Sequence, residues 1–170
     1  MSPSAAPIAT ARLELIPLRT ADAEDMVGVL ADPALYEFIG GRPPSLAELR
    51  TRYRRQLAGR SADGSEEWHN WIVRLRSEGM AVGFVQATIV RSGTNADIAW
   101  LIGVAWQRRG FAVEAARALI AWLEHNDVMT ITAHIHPDHV GSAAVAHHSG
   151  LRPTDVVEDG EQVWRRVQPT

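Results

Sequence analysis

Apolar and polar residues follow two simple periods along this chain, and these periods predict its secondary structure. Strict alternation over 12–18 is typical of a half-buried strand, and apolar positions three and four apart are typical of an amphipathic helix. The clearest helix is predicted from Gly110 to about His125. Its apolar face is predicted to hold Ala112, Ala116, Leu119, Ile120 and Leu123.

The complete pattern predicts the element order β α α β β β α β α β β. Strands are expected at 12–18, 68–77, 80–90, 96–104, 128–136 and in a hairpin at 151–167, and helices at 20–32, 44–59, 110–125 and 140–150. We expect the first helix to be capped at Thr20 or Asp22, and the second by a capping box of Ser45 and Glu48. This order predicts an α+β or mixed α/β domain around one sheet.

The length and composition favour one globular domain with a complete core. The chain has 170 residues, of which 46% are apolar and 22% charged. We expect residues 1–10, which are small and include prolines, to form a flexible N-terminus, and residues 11–168 to form the single domain.

Charge and cysteine content narrow the partners that the protein is expected to have. The net charge of −3 argues against a nucleic-acid binder, and no apolar run is long enough to span a membrane. The absence of cysteine excludes disulfides and thiolate metal sites. Since the N-terminus also lacks the pattern of a signal peptide, we expect a cytoplasmic protein without nucleic-acid or membrane partners.

The segment "HIHPDH", from His134 to His139, has the H-x-H-x-D-H pattern that binds a metal pair in metallo-β-lactamase-like hydrolases. Such a site needs further ligands downstream, but only 31 residues follow His139, and the histidines among them are His147 and His148. His134 and His136 share one face at the end of a strand, which gives at most a partial site. We therefore predict no functional metal, and a metallohydrolase is only a remote alternative.

The loop "QRRGFA", Gln107 to Ala112, connects a predicted strand directly to the amphipathic helix. A helix N-terminus presents unpaired N–H groups and a positive dipole, and both attract phosphate. Gly110 and Ala112 allow close approach of a ligand to the backbone, and Arg108 and Arg109 suit phosphate oxygens. The segment therefore suggests a phosphate or pyrophosphate site, with an ordinary turn carrying solvated arginines as the alternative.

This loop resembles the Q/R-x-x-G-x-G/A signature of the GNAT superfamily of acyl-CoA-dependent N-acetyltransferases. Gln107, Gly110 and Ala112 match it, and the Glu114-Ala115 pair matches the ribosomal-protein-alanine N-acetyltransferase-like branch. The opening "ATARLELIPLRTADAEDM" is similar to the T-x-R-L-x-L-x-P-L-x-x-x-D-A pattern of that branch, and the resemblance extends from about Thr10 to Val167. It implies a mostly antiparallel twisted sheet of about seven strands, flanked by about four helices.

The resemblance also implies a site for acetyl-CoA. It places the pyrophosphate on backbone N–H groups between Arg108 and Val113, and the pantetheine beside the strand near Ile102 to Val104. The family asparagine that meets the pantetheine is His139 here, and the tyrosine found in many relatives is replaced by Ala146. The implied cofactor residues are Ile102, Gly103, Val104, Gln107, Arg108, Arg109, Gly110, Phe111, Ala112, Val113, His139 and Ser142.

Two residues are candidates for catalysis by the same resemblance. Asp97 lies where many relatives carry the glutamate of an A-E-I segment, and it is the first candidate for the general base that deprotonates the amine. Ser142 lies where the branch has its proposed proton donor, and it would stabilise or relay a proton to the departing thiolate. The alternatives are a solvated strand residue at Asp97 and a helix cap at Ser142. Further candidates for the base are Glu66, Glu67 and His69.

We therefore expect direct transfer of an acetyl group to a primary amine, because no cysteine is present to carry the acyl group. The acceptor would be a peptide N-terminus or a small molecule, and the protein a monomer or homodimer. A non-catalytic acyl-CoA-binding module is the alternative. Acidic residues expected to border the acceptor site would suit a cationic amine, with ordinary surface charge as the simpler interpretation. These residues are Asp32, Glu37, Asp155, Glu158, Asp159 and Glu161.

Overall fold

The structure is a computed structural model that describes residues 5–90 and 92–169. Four α-helices flank one eight-stranded sheet, with the strands ordered β1-β2-β3-β4-β5-β6-β8-β7. The strands are β1 (Ile8–Ala9), β2 (Leu13–Pro17), β3 (Glu66–Leu75), β4 (Ala81–Val90), β5 (Asn95–Ile102), β6 (Thr130–Ile135), β7 (Arg152–Glu158) and β8 (Glu161–Val167). The helices are α1 (Asp22–Val29), α2 (Leu46–Gln56), α3 (Phe111–His125) and α4 (Val140–His148). The predicted mixed α/β class, its four helices and its mostly antiparallel sheet are confirmed.

The eighth strand lies in the segment that was expected to be loose. Ile8 and Ala9 pair with Leu15 and Glu14 of β2. The indole N–H of Trp71 also donates to the carbonyl of Ala6 over 2.9 Å. This part of the N-terminal segment is therefore paired with the sheet, while residues 1–4 lie outside the described part of the chain.

Of the two helix caps predicted from the sequence, one is confirmed and the other is wrong. Ser45 caps α2 in a complete capping box with Glu48, as predicted. The predicted cap of α1 at Thr20 or Asp22 is wrong, because the cap residue is Ala21 and no side-chain cap bond is present. The buried carboxylate of Asp22 is used elsewhere, since it accepts from the backbone N–H of Arg19 and from the side chain of Arg74.

Each face of the sheet has its own hydrophobic core. On one face α3 packs against strands β2 to β6, and on the other α1 and α2 cover the β2–β4 half of the sheet. Ala115 of α3 is fully buried, whereas Ala112, which was predicted for the buried face, is only half-buried. No helix in residues 5–90 or 92–169 is long and apolar enough to cross a membrane.

β5 and β6 are the only parallel pair among the described strands, and they are paired over a short length. Its three residue pairs are Asn95–Thr130, Ala96–Ile131 and Asp97–Thr132. Beyond Asp97 the two strands separate, although β5 continues to Ile102 and β6 to Ile135. The remainder of β5 pairs only with β4, and the remainder of β6 only with β8. A wedge-shaped opening therefore separates the two strands at the centre of the sheet.

Candidate active site

The segment at residues 107–113, here called the cradle loop, connects the open end of β5 to α3. Arg108 has φ +63° and Gly110 has φ +82°, so the backbone alternates into the left-handed region before the helix begins. Within the described part of the chain, no protein acceptor is present for the N–H groups of residues 108–113. Successive N–H groups in such a conformation, together with the start of a fifteen-residue helix, form a concave site for an anion.

The side chains of the cradle loop have separate roles. Gln107 donates from Nε2 to the carbonyl of Ile102 over 2.9 Å, so its amide holds the loop against β5 and does not reach outward. Phe111 is buried in the core. Arg108 and Arg109 are exposed and have no ion-pair partner among the described residues. The predicted loop therefore combines free backbone donors with two free guanidinium groups.

Two residues near the N-terminus contact the cradle loop and the first turn of α3. Arg12 donates from Nη1 to the carbonyl of Arg109 over 2.8 Å and from Nε to Oε1 of Glu114 over 2.7 Å. Thr10 donates from Oγ1 to Oε2 of Glu114 over 2.5 Å. Sequence analysis missed this contact, although Thr10, Arg12 and Glu114 all belong to the segments that carry the family resemblance.

Backbone groups of β5 also face the wedge-shaped opening. The N–H of Gly103 donates to the carbonyl of Val82 over 2.8 Å, and antiparallel pairing alternates the direction of the backbone groups. The N–H groups of Trp100 and Ile102, beyond the last residue paired with β6, therefore point away from β4. Gly103 differs from the expectation, because its carbonyl also accepts from Trp106 and both of its backbone groups are occupied.

Gly103 and a neighbouring glycine instead permit close packing at this end of β5. A Cβ at Gly103 would lie 3.0 Å from the side chain of Val29 and 3.1 Å from the ring of Trp106. A Cβ at Gly83, opposite Ile102 on β4, would lie 2.1 Å from the carbonyl oxygen of Leu101. Val104 follows as the first residue of a 3₁₀ turn, and its carbonyl accepts from the N–H of Gln107.

On the face of the sheet opposite α3, a groove of about 610 Å³ lies over the β5–β6 opening, and we call it the sheet groove. It is formed by the segment before α2, by β4, β5 and β6, and by the β7–β8 turn. Its lining residues are Phe38, Ile39, Gln86, Thr88, Asp97, Ile98, Ala99, His134, His136, Asp159, Gly160 and Glu161. Five distant segments of the chain therefore contribute to one site.

Asp97 occupies the last paired position before the two strands separate, and its carboxylate lies in this groove. It accepts a hydrogen bond from the hydroxyl of Thr132 on β6. The competing candidates for a base are placed differently. His69 is buried on the α3 face between Trp71 and Trp122, and burial lowers its pKa below the usual range although Glu67 acts in the opposite direction.

Glu66 and Glu67 also lie outside the groove lining. The carboxylate of Glu66 accepts from the indole N–H of its neighbour Trp68 over 3.2 Å. The carboxylate of Glu67 lies 3.6 Å from Nε2 of His69. Of the four candidates for the base, only Asp97 lines the sheet groove.

The acidic residues expected near the acceptor are only partly brought together. Asp159 and Glu161 line the sheet groove, whereas Asp32 caps the 3₁₀ turn Pro33–Tyr36 and Asp155 is absent from the groove lining. Glu158 contacts Nε2 of His134 over 2.8 Å and attaches β7 to β6.

Ser142 lies in the first turn of α4, where its hydroxyl is 3.4 Å from Nε2 of His139. His139 is the N-cap residue of α4. The alternative role considered for Ser142, a helix cap, is therefore wrong. The ring of His139 stacks on Phe38 at 4.7 Å, and Phe38 lines the sheet groove. Burial lowers the pKa of His139, Glu37 raises it and His136 lowers it further, with a lower pKa as the net result.

The histidines of the H-x-H-x-D-H segment are engaged in separate contacts. His134 pairs with Glu158, while Nδ1 of His136 accepts from the N–H of Asp138 and its ring contacts Phe38. Among residues 5–90 and 92–169, no group of three or more His, Cys, Asp or Glu side chains is placed to hold a metal ion.

Comparison with known proteins identifies the family. The model of the acetyltransferase (GNAT) domain matches residues 12–152. The chain belongs to the GNAT acetyltransferase family. It is therefore an acyltransferase, and the members of this family use acetyl-CoA.

Solved structures across the family share the fold over nearly the whole chain. An acetyltransferase from Agrobacterium tumefaciens is 26% identical, with a TM-score of 0.76 over 99% of this chain and 98% of that one. RimL, a ribosomal L7/L12 alpha-N-protein acetyltransferase in complex with coenzyme A, is 16% identical, with a TM-score of 0.80 over 96% and 98%.

The aminoglycoside acetyltransferase AAC(6')-Ib, also in complex with coenzyme A, is 18% identical, with a TM-score of 0.74 over 91% of this chain and 94% of that one. No curated protein matches the sequence. The similarity to RimL and to the aminoglycoside enzyme supports the fold alone, so the acceptor has to be argued from the residues of this chain.

The residues present fit acetyl-CoA. The cradle loop provides free N–H groups for a diphosphate, and a Cβ at Gly110 would lie 3.2 Å from Nη2 of Arg12. The opening between β5 and β6 provides a channel beside free backbone donors for an extended amide-containing chain. When bound, acetyl-CoA supplies an activated acetyl thioester.

Proposed function

We propose that this protein transfers an acetyl group from acetyl-CoA directly to a primary amine bound in the sheet groove. One observation carries the proposal: the opening between β5 and β6 leads from the cradle loop to a groove that contains Asp97. A cofactor bound along β5 and an amine bound in the groove would therefore meet at the centre of the sheet.

The backbone beside the opening provides a place for the thioester carbonyl. The N–H groups of Trp100 and Ile102 have no strand partner on that side, because the β5–β6 pairing ends at Asp97 and Thr132. Hydrogen-bond donors fixed in this way stabilise negative charge that develops on a carbonyl oxygen during attack. Because they belong to a strand held by β4, these donors need little reorganisation.

The proton chemistry is assigned to two groups. An alkylamine has a pKa near 10.4, so it must lose a proton before its nitrogen attacks the carbonyl carbon. Asp97, directly or through water, accepts this proton before the C–N bond forms, and the nitrogen releases its second proton to water as the tetrahedral intermediate collapses. The C–S bond then breaks, and Ser142, whose hydroxyl contacts His139, donates a hydrogen bond to the departing sulfur. Direct transfer follows from the absence of cysteine.

The groove also favours a particular acceptor. Asp97, Asp159 and Glu161 line it, and none of its lining residues is Lys or Arg. Carboxylates without a nearby cation attract positive charge, and Glu161 and Asp159 are exposed or half-exposed at the turn. The acceptor that we propose is therefore a primary amine with at least one further positive charge, such as a polyamine or a basic peptide N-terminus.

The composition of the chain removes two sources of background from an acetyltransferase assay. It has no cysteine, so a thiol reagent detects only released coenzyme A, and its 17 Lys+Arg residues are all arginine, so no lysine can be acetylated as background. Calorimetry with acetyl-CoA, followed by thiol release over a panel of mono- and polycationic amines, tests the proposal. One-site binding with turnover supports it, and binding without turnover over the whole panel contradicts it.

A further inference from the structure

Arg12 lies 97 positions before Arg109 of the cradle loop in sequence, yet its side chain contacts four residues of the loop and of the first turn of α3. Its Nη1 donates to the carbonyl of Arg109 over 2.8 Å, and its Nε donates to Glu114 over 2.7 Å. The guanidinium lies 4.4 Å from the centre of the Phe111 ring, and its Nη2 lies against Gly110. The backbone N–H of Arg12 also donates to Glu114 over 2.9 Å.

The contact with the Arg109 carbonyl has a direct consequence for the direction of the next N–H group. A peptide bond is planar and trans, so its C=O and N–H point in opposite directions. Because Arg12 holds the carbonyl of Arg109 towards β2, the N–H of Gly110 must point to the other side. That N–H is one of the six that have no protein acceptor among the described residues.

Arg12 also compensates a charge that would otherwise oppose anion binding. Glu114 lies in the first turn of α3, immediately after the cradle loop. Burial tends to raise the pKa of Glu114, but hydrogen bonds from Thr10 and Arg12 outweigh burial, and the net effect lowers it. Glu114 is therefore a carboxylate, and without Arg12 its negative charge would act on a bound phosphate across a short distance.

We infer that Arg12 is a positioning residue for the cofactor site: it orients the Arg109–Gly110 peptide and neutralises Glu114, so that the cradle loop is ready for a diphosphate before the ligand arrives. The inference rests on the proposed function, since it assigns the diphosphate of acetyl-CoA to the cradle loop. Preorganisation of this kind raises affinity because binding no longer has to order the loop.

The chain offers a matched control on the same helix. Arg166 pairs through Nε with Glu124 of α3 over 2.6 Å, and the side-chain exposures are 34% and 20%, against 47% and 19% for Arg12 and Glu114. Glu124 is near the opposite end of α3 from the cradle loop. Arg12→Gln and Arg166→Gln therefore remove similar ion pairs, and only the first removes a contact with the loop.

The experiment is calorimetric titration of acetyl-CoA into the wild-type chain and both variants, with thermal unfolding as a check on folding. We expect Arg12→Gln to weaken binding about tenfold or more, and Arg166→Gln to change it less than about twofold, at comparable losses of Tm. In steady-state assays, Arg12→Gln should raise KM for acetyl-CoA and leave KM for the amine unchanged. A change of both KM values together would overturn the positioning role.

Two further variants keep the test decisive if Arg12→Gln folds poorly. Glu114→Gln removes the ion pair but leaves the carbonyl contact of Arg12, so it should weaken binding less than Arg12→Gln or Arg12→Lys. Equal losses of acetyl-CoA affinity in Glu114→Gln and in the Arg12 variants would assign the effect to packing of β2 on α3 and overturn the inference. Unchanged affinity in Arg12→Lys and Arg12→Gln would overturn it while leaving the proposed function intact, whereas absence of binding by the wild-type chain would overturn both.

Discussion

The cradle loop and the sheet groove lie at two ends of the same opening between β5 and β6, but they are built differently. The cradle loop is one continuous segment whose useful groups are backbone N–H donors. The groove combines side chains from five segments that are distant in sequence. Backbone donors recognise what all substrates of the family share, whereas side chains can differ between relatives and therefore determine which amine is accepted.

This difference between the cradle loop and the groove predicts that variants will affect either acetyl-CoA affinity or turnover. Changes to the cradle loop should alter affinity for acetyl-CoA and leave the chemical step intact. Changes to the groove should alter turnover or the acceptor and leave acetyl-CoA binding intact.

The largest expected effect is on the groove side, at Asp97. Asp97→Asn keeps an oxygen that can accept from Thr132 but removes the base, so kcat should fall by roughly 10²–10⁴. Affinity for acetyl-CoA, measured by calorimetry, should not change. Asp155→Asn removes a carboxylate of β7 outside the groove lining and is the control. Full activity in Asp97→Asn would show that water or the backbone removes the proton without a dedicated base.

On the cradle side, Gly110→Ala should weaken the affinity for acetyl-CoA. Gly110 has φ +82°, a conformation that costs an L-residue about 1–2 kcal/mol, and a Cβ would lie 3.2 Å from Nη2 of Arg12. If that cost falls on the conformation that binds the diphosphate, acetyl-CoA affinity drops by about tenfold, since a factor of ten is about 1.4 kcal/mol.

Gly79→Ala is the matched control for this prediction. Gly79 has φ +70° in the β3–β4 turn, and nothing lies within 4 Å of its added Cβ. It should lose a similar amount of stability in urea unfolding without any loss of acetyl-CoA affinity. Equal affinity in Gly110→Ala and the wild-type chain would mean that the loop does not hold the diphosphate in this conformation.

These two regions also differ in how far the sequence could predict them. The cradle loop was predictable because its signals are local: a glycine, two arginines and the start of a helix within six residues. The order of the elements along the chain and the four helices were predictable from periodicity and from the resemblance. Neither signal shows that Arg12 contacts the loop, because that contact joins residues 97 positions apart.

The groove was less predictable for the same physical reason. Asp97 was found through its position in a family segment, while Phe38, Gln86 and Thr88 gave no local signal. Gly103 was expected to bind the cofactor through its backbone, but its N–H group donates to the carbonyl of Val82 at the end of the β4–β5 pairing and is not free. Strand register decides which backbone groups are free and which side chains meet, and alternation alone does not fix the partner of a strand.

A smaller effect is expected for the charges that select the acceptor. Replacing Asp159 by Asn and Glu161 by Gln removes two of the three groove carboxylates, and Asn suits the left-handed turn position of Asp159, where φ is +51°. KM for a dicationic amine should rise about fivefold, on the basis of about 1 kcal/mol for a screened charge pair at 4 Å. KM for a monoamine should change less.

Salt provides an internal check on that result. The difference between the double variant and the wild-type chain should shrink as ionic strength rises, because screening shortens the range of the interaction to about 8 Å at 0.15 M. Glu78→Gln, in the β3–β4 turn, changes charge outside the groove and should have no effect on either amine. An equal effect on mono- and dicationic amines would contradict charge selection in the groove.

The smallest expected effect concerns pH and His139, at the border between the two regions. Burial and His136 lower the pKa of His139 against the opposing effect of Glu37, so the folded state favours the neutral ring. Below the ordinary histidine pKa of about 6.5, the unfolded chain takes up this proton before the folded chain does, and stability is lost as pH falls. His139→Asn places the usual family residue at this position and removes that proton uptake. Its urea midpoint should therefore decline less between pH 7.5 and 5.5 than that of the wild-type chain. Because His69 is present in both chains and its pKa is also lowered, the difference between them isolates His139, and equal declines would show that stacking on Phe38 tolerates the charged ring.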